Sequence, residues 1–150
     1  MTNKTILKGT YCILIDLNSN QTISVGKLGE IDFQKGYYVY VGSALNSLEG
    51  RIKRHLSSEK KLHWHVDYLL DHDDAEIIDV LYAVDDSKFE CKLADKIAEK
   101  SVEINNFGCS DCKCDSHLFY FENSGDLEKY CLYAFRILKL NPVRYMNDIK

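Results

Sequence analysis

The stretch that most restricts the fold is GYYVYVGSALNSLEGRIKRHL, residues 36 to 56, because its hydrophobic period changes from two to nearly four along the way. Between Gly36 and Gly42 it reads as a strand with Tyr38 and Tyr40 on one face and Tyr37, Val39 and Val41 on the other. After the turn at Gly42-Ser43, Leu48, Ile52 and Leu56 recur every four residues as the buried stripe of a helix. Asn46 with Glu49 gives that helix a capping-box-like start, and Arg51 and His55 flank its stripe together.

The rest of the chain continues the mixture. TYCILIDL at 10 to 17 is an apolar, β-branched run that ends in the polar turn NSNQ and reads as a buried strand. TISVG and EIDF alternate around Lys27-Leu28-Gly29 as a small hairpin, so the chain opens with a meander. A second helix is expected over KLHWHVDYLLD, a buried strand over EIIDVLYAV, and a third helix from about Lys88 to Lys100 with Phe89, Leu93 and Ile97 on one face. SHLFYFE reads as a late strand, and DLEKYCLYAFRILKL as a helix stopped at Asn141-Pro142. The expected architecture is α/β (α+β): a small antiparallel sheet flanked by helices, with a cysteine-rich loop and a C-terminal helix.

A chain of 150 residues corresponds to about one domain, and it carries no internal repeat, low-complexity tract or linker to divide it. Ten Tyr, six Phe and 45% apolar residues exclude a disordered chain. The N-terminus has no signal-peptide pattern, and nothing approaches the roughly 18 consecutive apolar residues of a membrane span. A cytoplasmic protein with no membrane partner is expected. Its six cysteines are then free thiols or metal ligands rather than a disulfide frame.

The net charge of −4 argues at first against a nucleic-acid partner, because phosphate binding rests on clustered Lys and Arg. The distribution reverses that. Between Gly50 and His65 lie Arg51, Lys53, Arg54, Lys60 and Lys61 against Glu59 alone, whereas residues 71 to 90 carry eight carboxylates against Lys88. A cationic site on an acidic body can engage phosphate, although two solvated helix faces of opposite sign would look the same.

Hydrolysing a phosphodiester needs a deprotonated water, a clamp on the non-bridging oxygens and charge stabilisation at the leaving oxygen. A tyrosine can serve as base only as a phenolate, and bringing its pKa from about 10 to about 7 takes roughly 4 kcal/mol. Arg51, Lys53 and Arg54 and a hydrogen bond to His55 would push in that direction. Arg51 offers the planar fork that suits a phosphate. Glu90 is a hard oxygen ligand suited to Mg²⁺ or Mn²⁺, ions that keep several waters and need few protein carboxylates.

These residues carry a resemblance. Gly9-Thr10-Tyr11 and Tyr40-Val41-Gly42, followed by Arg51 and His55 on a helix and Glu90 opening a later one, resemble the GIY-YIG nuclease superfamily, most closely its small stand-alone Uri-type endonucleases. The resemblance covers roughly residues 8 to 100 as a core and continues through SHLFYF. It implies a metal-dependent endonuclease acting on nucleic acid, DNA being the expected partner. A tyrosine activates water for in-line attack, and one metal ion, Mg²⁺ or Mn²⁺ on Glu90, sits at the leaving 3′-oxygen. The base is one of the pair Tyr11 and Tyr40. Gly42, Ser43, Lys53, Arg54 and His63 are the expected substrate contacts. Tyr11 and Tyr40 stand 29 positions apart, with NSNQTISVGKLGEIDFQK between the two motifs; a self-contained hairpin there would leave strand register intact, because loop cost grows slowly with length. Ser43 follows the second-motif glycine, where some relatives carry a lysine, so Arg51 and His55 must do more to lower a phenol's pKa.

Two further clusters each allow two readings. His63 and Asp67, four apart, could orient a water or touch phosphate; the competing reading is an ordinary amphipathic helix built on Trp64, Val66, Leu69 and Leu70. GCSDCKCDSH places Cys109, Cys112, Cys114 and His117 within nine residues, enough soft ligands for Zn²⁺ with Cys91 as a distant contact; the competing reading is a reduced loop packed near the site. The rival functions are therefore a silent nucleic-acid binding module of the same fold and a zinc-binding structural protein.

Overall fold

The computed structural model describes residues 8–44, 46–57, 61–85, 89–104, 107 and 116–145. In chain order they form β1 (Gly9–Leu17), β2 (Gln21–Ser24), β3 (Glu30–Phe33), β4 (Gly36–Ala44), α1 (Leu48–Leu56), α2 (His65–Leu70), β5 (Ala75–Val84), α3 (Glu90–Ala98), β6 (Val102–Glu103), β7 (Leu118–Phe121), α4 (Ser124–Ile137) and β8 (Val143–Arg144). Six strands make one antiparallel sheet in the order β6-β7-β4-β1-β5-β8, and β2 with β3 make a separate two-stranded sheet.

Strand β1 is central, and eight of its nine residues are buried, which is what its nearly uninterrupted apolar run requires. Alternation along β1 and β4 divides the core. Tyr11, Ile13, Ile15 and Leu17 share one face with Tyr38 and Tyr40, and pack with Leu48 and Ile52 of α1, Val66 and Leu69 of α2, and Val25 and Phe33 of the small hairpin. Cys12, Leu14, Val39 and Val41 point the other way, against Leu93, Ala94 and Ile97 of α3 and Cys131, Ala134 and Phe135 of α4.

The 29 positions between Tyr11 and Tyr40 do not disturb the sheet. The β1–β4 ladder runs without a break from Leu17↔Gly36 to Gly9↔Ala44, and the hairpin stands aside as its own ladder. A single bulge lies on the other flank of β1, where Leu14 pairs with Asp79 and Ile15 with Ile77, leaving Ile78 as the extra residue.

The described residues beyond 100 pack onto the same sheet as those before it. Strand β7 hydrogen-bonds to β4, β8 hydrogen-bonds to β5, and α4 helps to cover β1 and β4. One further expectation is corrected: α1 is capped by Ser47, not Asn46, because the Ser47 hydroxyl accepts from the Gly50 N–H at 3.0 Å. Its buried face is then Leu48, Ile52 and His55. Among the described residues no helix is long and apolar enough to cross a membrane.

Candidate active site

The end of β4 is the hub. Strand β7 accompanies β4 as far as Tyr40, paired with Leu118, so among the described residues Gly42 to Ala44 run on with β1 as their one ladder partner. Side chains from both faces of the sheet meet around this strand end. Tyr11 lies on the α1 face, with its phenol 2.9 Å from His55 Nε2 and its ring centroid 5.4 Å from that of His55. Its ring crosses Gly42 so closely that a Cβ there would stand 2.5 Å from the phenol oxygen and from Cζ. Glycine at position 42 is thus a steric requirement of Tyr11 rather than of a turn.

Arg51 and His55 emerge from the same face of α1, four residues apart. Arg51 donates from Nη1 to the Ser43 carbonyl at 3.0 Å and stands near enough to Tyr11 to favour its ionised form. The Ser43 side chain points to the opposite face, where its hydroxyl donates to Glu90 Oε1 at 2.6 Å. Glu90, at the start of α3, thereby meets the edge strand from the second layer with its side chain 18% exposed. Tyr40 is 8% exposed, and its ring centroid is 6.1 Å from His55.

Electrostatics rank the two tyrosines. Burial pushes the Tyr11 phenol up to about 12, with Arg51 pulling the other way. Burial pushes Tyr40 up further still, reinforced by Tyr11 and Glu90 and only partly opposed by Arg51. Arg51 pushes both phenols in the expected direction, but removal from water outweighs it.

The other expected contacts divide. Lys53 is exposed and 3.3 Å from Glu49 in an i,i+4 pair. Arg54 holds Asp67 with both nitrogens, at 3.1 and 3.0 Å, and donates to the Lys61 carbonyl at 2.9 Å, so its fork is committed within the fold. Asp67 is fully buried and also accepts from the backbone of His63 and Trp64 at the start of α2. Burial alone would raise its carboxyl; Arg54 and those two N–H groups overcome that and hold it below the ordinary value. Asp67 is thus a structural anchor, not a water-orienting group, while His63 is exposed beside Trp64.

Sequence reasoning passed over Trp64 as a packing residue. The Arg51 and Arg54 guanidinium carbons lie 4.5 and 4.2 Å from its ring centroid, and the His55 ring is 5.4 Å away, so Trp64 braces the cationic face of α1. Cys109, Cys112 and Cys114 lie outside the described residues. Cys91 is half-buried one residue beyond Glu90. His117, counted with the cysteine loop in the sequence, stands in the site itself: it is 1% exposed, with Nδ1 3.0 Å from the Val41 carbonyl and 3.4 Å from Glu90 Oε2.

An antiparallel sheet in which Gly9-Thr10-Tyr11 pairs with Gly42-Ser43-Ala44, at the end of the strand that carries Tyr40-Val41-Gly42, backed by a helix that carries arginine and histidine, defines a GIY-YIG-like protein. The family model described as Domain of unknown function DUF123, a GIY-YIG-like family, matches residues 10–140, and the chain belongs to that family. No curated protein and no solved structure matches the chain.

Proposed function

We propose that this chain is a metal-dependent endonuclease of the Uri-type stand-alone kind, hydrolysing phosphodiester bonds in nucleic acid, with DNA as the first substrate to test. The observation that carries the reading is the convergence on one strand end of a buried phenol bonded to an imidazole, an arginine fork and a carboxylate.

Tyr11 is the better base of the two, because its phenol is the less costly to ionise and it alone of the pair has the 2.9 Å contact with His55 Nε2. A standing phenolate is not required. Against a value of about 12, holding one at pH 7 costs roughly 7 kcal/mol. A relay avoids that cost: a water gives its proton to the Tyr11 oxygen while the Tyr11 proton passes to His55 Nε2. The resulting hydroxide attacks phosphorus in line, the 3′-oxygen leaves, and it takes a proton from solvent. Charge then rests on an imidazolium rather than on a buried phenolate.

Arg51 answers for the phosphate oxygens, since its fork stands beside Tyr11 and is half-exposed. Among the described residues no group of three or more His, Cys, Asp or Glu converges on one point. Among the described residues the donors at this strand end are the Glu90 carboxylate and the Ser43 hydroxyl, which suit an ion that keeps most of its water and accepts substrate phosphate, as Mg²⁺ commonly does. Glu90 would hold that ion, which supplies charge stabilisation at the leaving oxygen when bound.

The test is cleavage of labelled duplex, branched and single-stranded DNA and RNA in Mg²⁺ or Mn²⁺ by the wild type, Arg51→Ala and Glu90→Ala. The expected result is metal-dependent cutting by the wild type alone, with folding and substrate binding preserved in Glu90→Ala. A wild type that binds but cuts none of the panel would instead make it a silent binding module.

A further inference from the structure

We infer that His117 is a positioning residue for Glu90: it fixes the carboxylate's second oxygen and so sets the aim of the metal ligand. This rests on the nuclease reading above and adds a residue to it from a different part of the chain.

A carbonyl oxygen can only accept, so the 3.0 Å contact between His117 Nδ1 and the Val41 carbonyl requires the proton on Nδ1. Glu90 Oε2 stands 3.4 Å from the same nitrogen, within ion-pair distance of the ring. Its other oxygen, Oε1, accepts from Ser43 at 2.6 Å. Both oxygens of Glu90 therefore face groups from outside its own helix, a hydroxyl bonded to one and an imidazole nitrogen beside the other, which a carboxylate needs if it is to present lone pairs in one direction.

His117 is itself held on both sides. Its backbone N–H donates to the Phe107 carbonyl at 2.8 Å, and its carbonyl accepts from the Val41 N–H at 2.9 Å. The ring is 1% exposed. The strand end that carries Tyr40, Gly42 and Ser43 is thereby clamped at Val41 by the residue that reaches Glu90, so segment 116–121 completes the site as well as the sheet.

The test is electron paramagnetic resonance titration of Mn²⁺ into the full-length chain mixed with a duplex DNA oligonucleotide, for the wild type, Glu90→Gln, His117→Asn and His117→Gln. Asparagine places an amide N–H where Nδ1 stands, and glutamine places it further out, so the two variants differ in donor position rather than in polarity or size class. Loss of an outer-shell partner typically costs about 10- to 100-fold in metal affinity. The expected order is wild type, then His117→Asn within about threefold, then His117→Gln weaker by about tenfold or more. Cleavage rate should follow the same order at unchanged KM for the nucleic acid. Equal Mn²⁺ affinity in His117→Asn and His117→Gln, or wild-type affinity in His117→Gln, overturns the assignment and leaves the nuclease reading standing. Unchanged affinity in Glu90→Gln, or no Mn²⁺ binding by the wild type, removes Glu90 as the metal ligand and the role of His117 with it.

Discussion

The Tyr11 hydroxyl and His55 Nε2 lie 2.9 Å apart, both 1% exposed, so the phenol's proton has a partner that solvent does not replace. If the pair works as a relay, His55→Ala should lower the cleavage rate by about 10²- to 10⁴-fold while leaving nucleic-acid affinity nearly unchanged. His55→Gln, which can keep a hydrogen bond to the phenol but cannot take its proton, should be no better. Single-turnover kinetics beside a binding titration separate the two effects.

The pH profile gives an independent reading of the same pair. With the Tyr11 value pushed up to about 12, a mechanism that needs a preformed phenolate would speed up about tenfold per pH unit from neutrality to pH 10. The relay predicts a profile without that unit slope. The raised value also makes a stability statement: the folded protein keeps the proton that the unfolded chain releases near pH 10, so this contribution is present below about 10 and is lost as pH rises through about 12. Alkaline unfolding followed by circular dichroism should accordingly be less steep in Tyr11→Phe.

Asp67 and Arg54 should behave as structure rather than as substrate contacts. Arg54→Met leaves a fully buried carboxylate without its fork and should cost about 3 kcal/mol in urea unfolding. Because the folded-state value of Asp67 is lowered, its contribution is present above the ordinary carboxyl range and lost as pH falls through the folded value. Wild-type stability should therefore fall more steeply in acid than that of Asp67→Asn.

Gly42→Ala tests the contact that seats Tyr11. The added methyl would stand 2.5 Å from the phenol, so the ring must move off His55 or the strand must shift. The expected result is a loss of about 1–3 kcal/mol in stability, with a loss of cleavage larger than that destabilisation explains. Melting temperature and rate measured on the same preparation decide it.

Much of this site was legible in the sequence because its parts obey short periods. Tyr40 and Gly42 follow from alternation along one strand, and Arg51 with His55 from the spacing of one helical turn. The contacts that complete it were not, because they depend on sheet order. His117 reaches Val41 across 76 positions only because β7 lies beside β4, and no local pattern announces that pairing. Local composition groups His117 with Cys109, Cys112 and Cys114, which lie outside the described residues. Arg54 was misjudged for a related reason: a cation on an amphipathic helix reads as solvent-facing until the buried carboxylate thirteen residues on is seen to occupy it. Strands β6 and β8, two residues each, are made by their neighbours and carry no pattern of their own.

The measurement that bears most directly on the central claim is metal-dependent cleavage by the wild type and Tyr11→Phe on one nucleic-acid substrate that both bind. The account predicts that Tyr11→Phe folds and binds as the wild type does, yet cuts at least about 10²-fold more slowly. Cleavage by Tyr11→Phe at the wild-type rate would contradict it, since the phenol at the centre of this site would then have no part in the chemistry.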